Sequence, residues 1–121
     1  MYIQTHINNY LFKTKVLTKP NDIMLGMMGK TFTKEFDALL FVMNTPTPTF
    51  WMKNCIVPLD MIFIENNIIT RVHHNCPGCT SNENCKTYTG KGNLVIELPG
   101  GTCKRLKIKK GDRVDFLENR K

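Results

Sequence analysis

The sequence has one tryptophan, ten acids against seventeen basic residues, and no apolar run approaching the roughly 20 residues of a membrane-spanning helix. Its opening, MYIQTHINNYLFK, lacks the basic start and continuous apolar stretch of a secretory leader. With Met1 in place, the expectation is an intracellular protein; the alternative is a chain given after processing. No serine-centred elbow, phosphate loop, histidine-glutamate metal motif or dinucleotide fingerprint occurs. The enzyme classes those motifs define are therefore not indicated, and the reading leans away from catalysis. No internal repeat and no separate linker divides the chain. Its 121 residues predict one domain over 1–121, with a single core and a short basic tail.

The formal charge is +7 and the isoelectric point is near 9.3. Such an excess can attract nucleic acid or an anionic membrane. The charges are spread, however, apart from one cluster at Lys104, Arg105, Lys107, Lys109 and Lys110. Without a recognised nucleic-acid motif the cluster reads first as a solvated surface and only second as a nucleic-acid contact. Lysine far outnumbers arginine and asparagine is abundant. That composition suits an AT-rich genome, such as that of a virus, parasite or endosymbiont, and a virion location follows as an alternative to an intracellular one. Codon bias then explains some of the basicity without any partner.

What is present is a series of short apolar runs between turn residues, which predicts a mainly β fold. Tyr2–Ile7 and Tyr10–Leu17 read as strands around an Asn8-Asn9 turn. Pro20 opens a short helix, and Ile23, Met24, Met27 and Met28 at helical spacing carry it to about Gly29. The methionines read as gap-filling core residues before metal ligands. Leu39–Met43 is a short apolar strand, and Pro46 and Pro48 stiffen the connector after it. Met61–Ile64 and Ile68–His73 form a hairpin about Glu65-Asn66-Asn67. Leu94–Leu98 is a strand broken by Pro99-Gly100-Gly101. Thr102 then caps a second helix through Leu106 or Lys107, and Arg113–Phe116 is the last strand.

The segment Phe50-Trp51-Met52-Lys53-Asn54, followed by Pro58-Leu59-Asp60, is the most informative. As a strand it places Trp51 and Lys53 on one face, and Phe50, Met52 and Asn54 on the other. Aromatics beside a cation, an amide and an acid suit a binding cleft; a core tryptophan with a snorkelling lysine is the plainer alternative. The candidate ligand-binding residues are Trp51, Lys53, Asn54 and Asp60, with Glu97 on a neighbouring strand. Gathering them requires a bend after Lys53. A chemical alternative has Asp60 and Glu97 sharing a proton. In the structural alternative Asp60 accepts nearby backbone N–H groups or pairs with Lys53.

His73, His74, Cys76, Cys79 and Cys85 form the other concentration of reactive groups. Cys76-Pro77-Gly78-Cys79 has a spacing compatible with zinc, a redox dithiol or a disulfide. A thioredoxin-like site is disfavoured because Lys86-Thr87-Tyr88 and Gly90-Lys91-Gly92 read as loop. No metal and no cofactor is assigned.

Taken in order, Gly26-Met27-Met28, FWMKNCIVPLDMIFIENN, HHNCPGCTSNENCKTY and LVIELPGGTCKRLKIKKGDRV resemble the domain of unknown function 192 family, over about 9–116. The resemblance implies a mainly β, sandwich-like or jelly-roll-like domain and supplies no activity. It also implies a Cys79–Cys85 pairing ahead of Tyr88, with Cys76 extra and Cys55 and Cys103 ordinary. Such a bridge needs an oxidising setting, which the missing leader does not support, so free thiols stand level with the disulfide and zinc comes third. Many relatives look exported, and the missing leader departs from that. Three classes of function remain. The first is a non-catalytic binding or accessory module for a small molecule or protein partner. The second is a component of a larger assembly such as a viral particle. The third is an envelope- or carbohydrate-related hydrolase using Asp60 and Glu97.

Overall fold

Asparagine supplies the tight turns on which the sheet is built. Asn8 (φ 55°) sits between β1 (Tyr2–Ile7) and β2 (Tyr10–Leu17), while Asn66 and Asn67 (φ 52° and 65°) join β5 (Leu59–Glu65) to β6 (Ile68–Cys76). These left-handed conformations are those that two-residue hairpin turns demand. The computed structural model describes residues 1–80, 82 and 84–118. Its other elements are α1 (Pro20–Leu25), β3 (Ala38–Val42), β4 (Thr49–Trp51), β7 (Thr87–Thr89), β8 (Leu94–Pro99), α2 (Thr102–Leu106) and β9 (Val114–Glu118). No helix among the described residues is long and apolar enough to cross a membrane.

Seven strands form one sheet in the order β6-β5-β8-β3-β2-β1-β9, antiparallel except for the β2–β3 pair. The sheet curls into a half-barrel. Its two outer strands meet at one end, where Ile68 bridges Arg113. There the Ile69 N–H donates to the Asp112 carbonyl oxygen at 2.9 Å, Gly111 N–H to Ile69 at 2.8 Å, and Val114 N–H to Asn67 at 2.8 Å. β4 and β7 pair as a separate two-stranded ribbon.

The central strands β3, β5 and β8 are buried on both faces, which is why they read as continuous apolar runs rather than alternating ones. Cross-strand partners share a face. Leu40, Ile96 and Ile62 line up inside the curl, with Ile3, Ile7 and Val114 in the same core. Phe41, Val95 and Phe63 line up on the opposite face, where Phe50 and Tyr88 of the ribbon cover them together with Met27 and Met52.

Three local expectations are corrected. The first helix stops at Leu25, not near Gly29, because Gly26 turns the chain at φ 44° and its N–H closes on the Asp22 carbonyl oxygen at 2.9 Å. Met27 then enters the core outside any helix, and Met24 is left 71% exposed. Thr87–Thr89 is strand, not loop, because Tyr88 pairs with Phe50. Thr102 is not the cap of α2 but its first helical residue, and its hydroxyl donates to the Pro99 carbonyl oxygen at 2.7 Å.

Candidate functional site

Glu97 lies in the middle of an apolar row. Its partners across the sheet are Leu39 on β3 and Met61 on β5, both fully buried. The carboxyl is 3% exposed, and its Oε1 has no hydrogen-bond partner. Burial pushes its pKa up to about 8, because the charged form loses its hydration and gains nothing in return. A buried acid left in this condition is unusual, since buried polar groups are nearly always paired.

This carboxyl helps line a cleft of about 170 Å³. One wall is α1 and the turn after it, including Met24, Met27 and Met28; Phe41 and Met43 come from β3 and its end. Phe50 and Trp51 of β4, with Cys55, form the other wall. Phe50 packs edge-on against Phe41 at 4.9 Å and Phe63 at 6.0 Å, which fixes this wall on the sheet. Of two wider depressions of about 620 Å³, one shares Cys55 with this cleft, and neither is lined by a buried carboxyl.

The rim is laced by backbone bonds. Met28 bridges Cys55, and the Gly29 N–H donates to the Asn54 carbonyl oxygen at 2.9 Å. Asn54 N–H donates to Cys79 at 2.7 Å, and Cys79 N–H donates back to Met52 at 3.0 Å. Gly78 is pressed against this lacing, since a Cβ there would stand 2.2 Å from the Cys55 carbonyl oxygen. Burial, and then the charge of Glu97, push the Cys55 thiol up to about 11.

The residues named from sequence separate into three groups. Trp51 is at the cleft and 47% exposed, with the Lys53 ammonium 4.9 Å from its ring centre. It is not a core tryptophan; the neighbouring Met52, 1% exposed, fills the core instead. Asn54 contributes backbone rather than its amide: it turns the chain at φ 59°, and its side chain is exposed. The bend after Lys53 thus falls at Asn54, where Cys55 N–H closes on the Met52 carbonyl oxygen at 3.1 Å.

Asp60 is elsewhere. Its strand partner is Leu98, so its side chain faces the inside of the curl, whereas Glu97, one residue along, faces the other way. A shared proton between the two is ruled out by this parity. Asp60 is fully buried and bonded to backbone: Oδ1 accepts the Asn75 N–H at 2.7 Å and the Gly101 N–H at 3.0 Å, and Oδ2 accepts the Cys103 N–H at 2.7 Å. It caps α2 from a distant strand and fixes the irregular stretch of β6 at Asn75, where φ is 48°. These partners are long-range, not the local turn after Pro58, and Lys53 is not among them.

Cys79 and Cys85 are joined, with sulfurs 2.14 Å apart. Cys76 and Cys103 are buried free thiols, and burial raises both. His73 packs edge-on between Phe63 and Tyr88 and donates from Nε2 to the Thr89 carbonyl oxygen at 2.8 Å. Burial lowers its pKa, with Arg71, Lys86 and His74 adding to the effect. Among the described residues no three of His, Cys, Asp and Glu gather as a metal site. Of the basic cluster, Lys104 and Arg105 lie in the last turn of α2, and Lys109 pairs with Asp112 at 3.3 Å.

Sequence reasoning missed the wall of methionines and Cys55. The available signal was Gly26-Met27-Met28 followed by an uncovered Trp51, but methionines at helical spacing point equally to a core.

Fold and cleft together define a small, mainly β half-barrel with an apolar recess on its convex side. The chain belongs to the domain of unknown function 192 family, described as uncharacterised ACR, whose model matches residues 3–116. No curated protein gives a significant match. Among solved structures, the chain is similar to a candidate transcription regulator from Sinorhizobium meliloti, with a TM-score of 0.84 and 23% identity over 96% of this chain and 94% of that one. It is similar also to a protein of unknown function from Novosphingobium aromaticivorans, with a TM-score of 0.80 and 26% identity over 94% of this chain and 84% of that one. The first likeness is one of fold.

Proposed function

We propose that this protein is a non-catalytic binding module for a small molecule with an apolar body and one polar group. The observation that carries this reading is Glu97: a buried carboxyl with an unpartnered oxygen, beside a recess otherwise lined mainly by thioether, aromatic and aliphatic side chains, with Thr49 and Cys55 as its remaining polar groups. Apolar walls with one placed polar group are the usual composition of a small-molecule site. Exposed Trp51 and Met24 extend the apolar surface to the mouth. Catalysis by Asp60 has no support, because its carboxylate is spent on three backbone donors.

Benzyl alcohol is a suitable first probe. Titrated into isotope-labelled protein, it is expected to move the amide resonances of 26–28, 41–43 and 49–55 saturably. Shifts scattered over the surface, or none at high probe concentration, would overturn the reading.

A further inference from the structure

The polar end of the cleft restricts the chemistry of its occupant, and this step rests on the binding reading above. Every residue flanking Glu97 in the sheet is uncharged: Leu39 from β3 and Met61 from β5. Met27, from the turn after α1, shares their core. The titratable groups that feel its charge are thiols, Cys55 from the connector after β4 and Cys76 from β6. Burial holds both of them near 11, outside the range in which Glu97 titrates. Asp60 faces the opposite side of the sheet. No cation of the protein is among the lining residues, although the chain carries an excess of seven. Phe50, Trp51 and the thioethers supply polarisable surface, and Trp51 already holds one ammonium, that of Lys53, against its ring.

We propose that the cleft takes a small organic cation bearing N–H donors, such as an amidinium or ammonium, and that it binds with transfer of the Glu97 proton to solvent. The neutral carboxyl gives up its proton, the carboxylate accepts the ligand's N–H groups, and the pair is neutral overall. The excluded water makes that pair strong, and its hydrogen bonds satisfy the atom now left without a partner.

Benzamidine, benzamide and benzoate share one shape and differ in charge, so they form the test, with Trp51 fluorescence and calorimetry as readouts. Benzamidine is expected to bind at least tenfold more tightly than benzamide at pH 8, and benzoate most weakly. Its affinity is expected to rise about tenfold per pH unit from pH 6 until the carboxyl's own midpoint near 8, then level off. Calorimetry in buffers of different ionisation enthalpy is expected to count close to one proton released per benzamidine at pH 6. Glu97→Gln is expected to remove the pH dependence and the preference for benzamidine over benzamide. Should that variant fail to fold, the proton count on the unaltered protein still decides. Benzamide or benzyl alcohol binding as tightly as benzamidine, with no proton released, would overturn the cation while the cleft stands. If no probe reaches the cleft, both readings fall.

Discussion

Glu97 and Asp60 are one strand position apart across the β5–β8 pair, both buried, and opposite in condition. Asp60 accepts three backbone donors and Glu97 is raised by burial alone. For Glu97, the unfolded chain gives up its proton near pH 4.5 and the folded chain near 8. Between those values the folded state holds the extra proton, so stability falls as pH rises and is level above about 8. The loss reaches roughly 3 kcal/mol by pH 7. Glu97→Gln is therefore expected to match the parent in thermal melts near pH 4 and to exceed it increasingly up to pH 8. Parallel curves would show the carboxyl to be paired in solution. Asp60→Asn should act in the other direction. An amide offers one acceptor where three donors converge, and it points N–H groups at N–H groups. A loss of about 3 kcal/mol or more in urea unfolding is expected. Sequence named both acids, yet it assigned them to one site. Their separation depends on strand parity and on which residues of β5 and β8 are in register, which residue types do not encode.

At the scale of elements, the cleft rim hangs from a loop that is itself tied by Cys79–Cys85. Cys79 is bonded in both directions to the segment 52–54, so the bridge stiffens the wall that carries Trp51. Reduction, or Cys85→Ser, is expected to cost about 2 kcal/mol for a loop this short. It should also speed hydrogen exchange at the Asn54 and Cys79 amides ahead of those in β5. Uniform acceleration would mean that the bridge acts on the whole fold instead. Several elements were legible because their chemistry is local. The asparagine turns and the doubly buried runs of β3, β5 and β8 are examples. β7 was not, because Thr-Tyr-Thr becomes a strand only by pairing with Phe50, which lies 38 residues earlier. α1 was overextended because the methionine spacing continues past Gly26 while the backbone turns away there.

The whole molecule depends on the contact that draws the sheet into a curl. β6 and β9 are the two ends of the strand order, and among the described residues they meet where 67–69 bond 111–114. Asn67 serves twice: its backbone holds φ 65°, and its Nδ2 donates to the Val114 carbonyl oxygen at 3.0 Å. Asn67→Gly keeps the conformation and loses the side-chain bond, a cost of about 1 kcal/mol; Asn67→Ala loses both and is expected to cost about twice that. Urea midpoints in the reverse order would show that the conformation is not under constraint. The GDRV word, prominent in the sequence, is this closure: Gly111 and Asp112 bond Ile69, Arg113 bridges Ile68, and Val114 bonds Asn67. The same strand order sets a schedule for synthesis. β1 lies between β2 and β9, pairing Ile3 with Thr14 on one side and with Glu118 on the other. A nascent chain can fold its first hairpin as soon as that leaves the ribosome. The outer edge of β1 then stays open to a stray strand until residues 114–118 emerge, about a hundred positions later, to cover it.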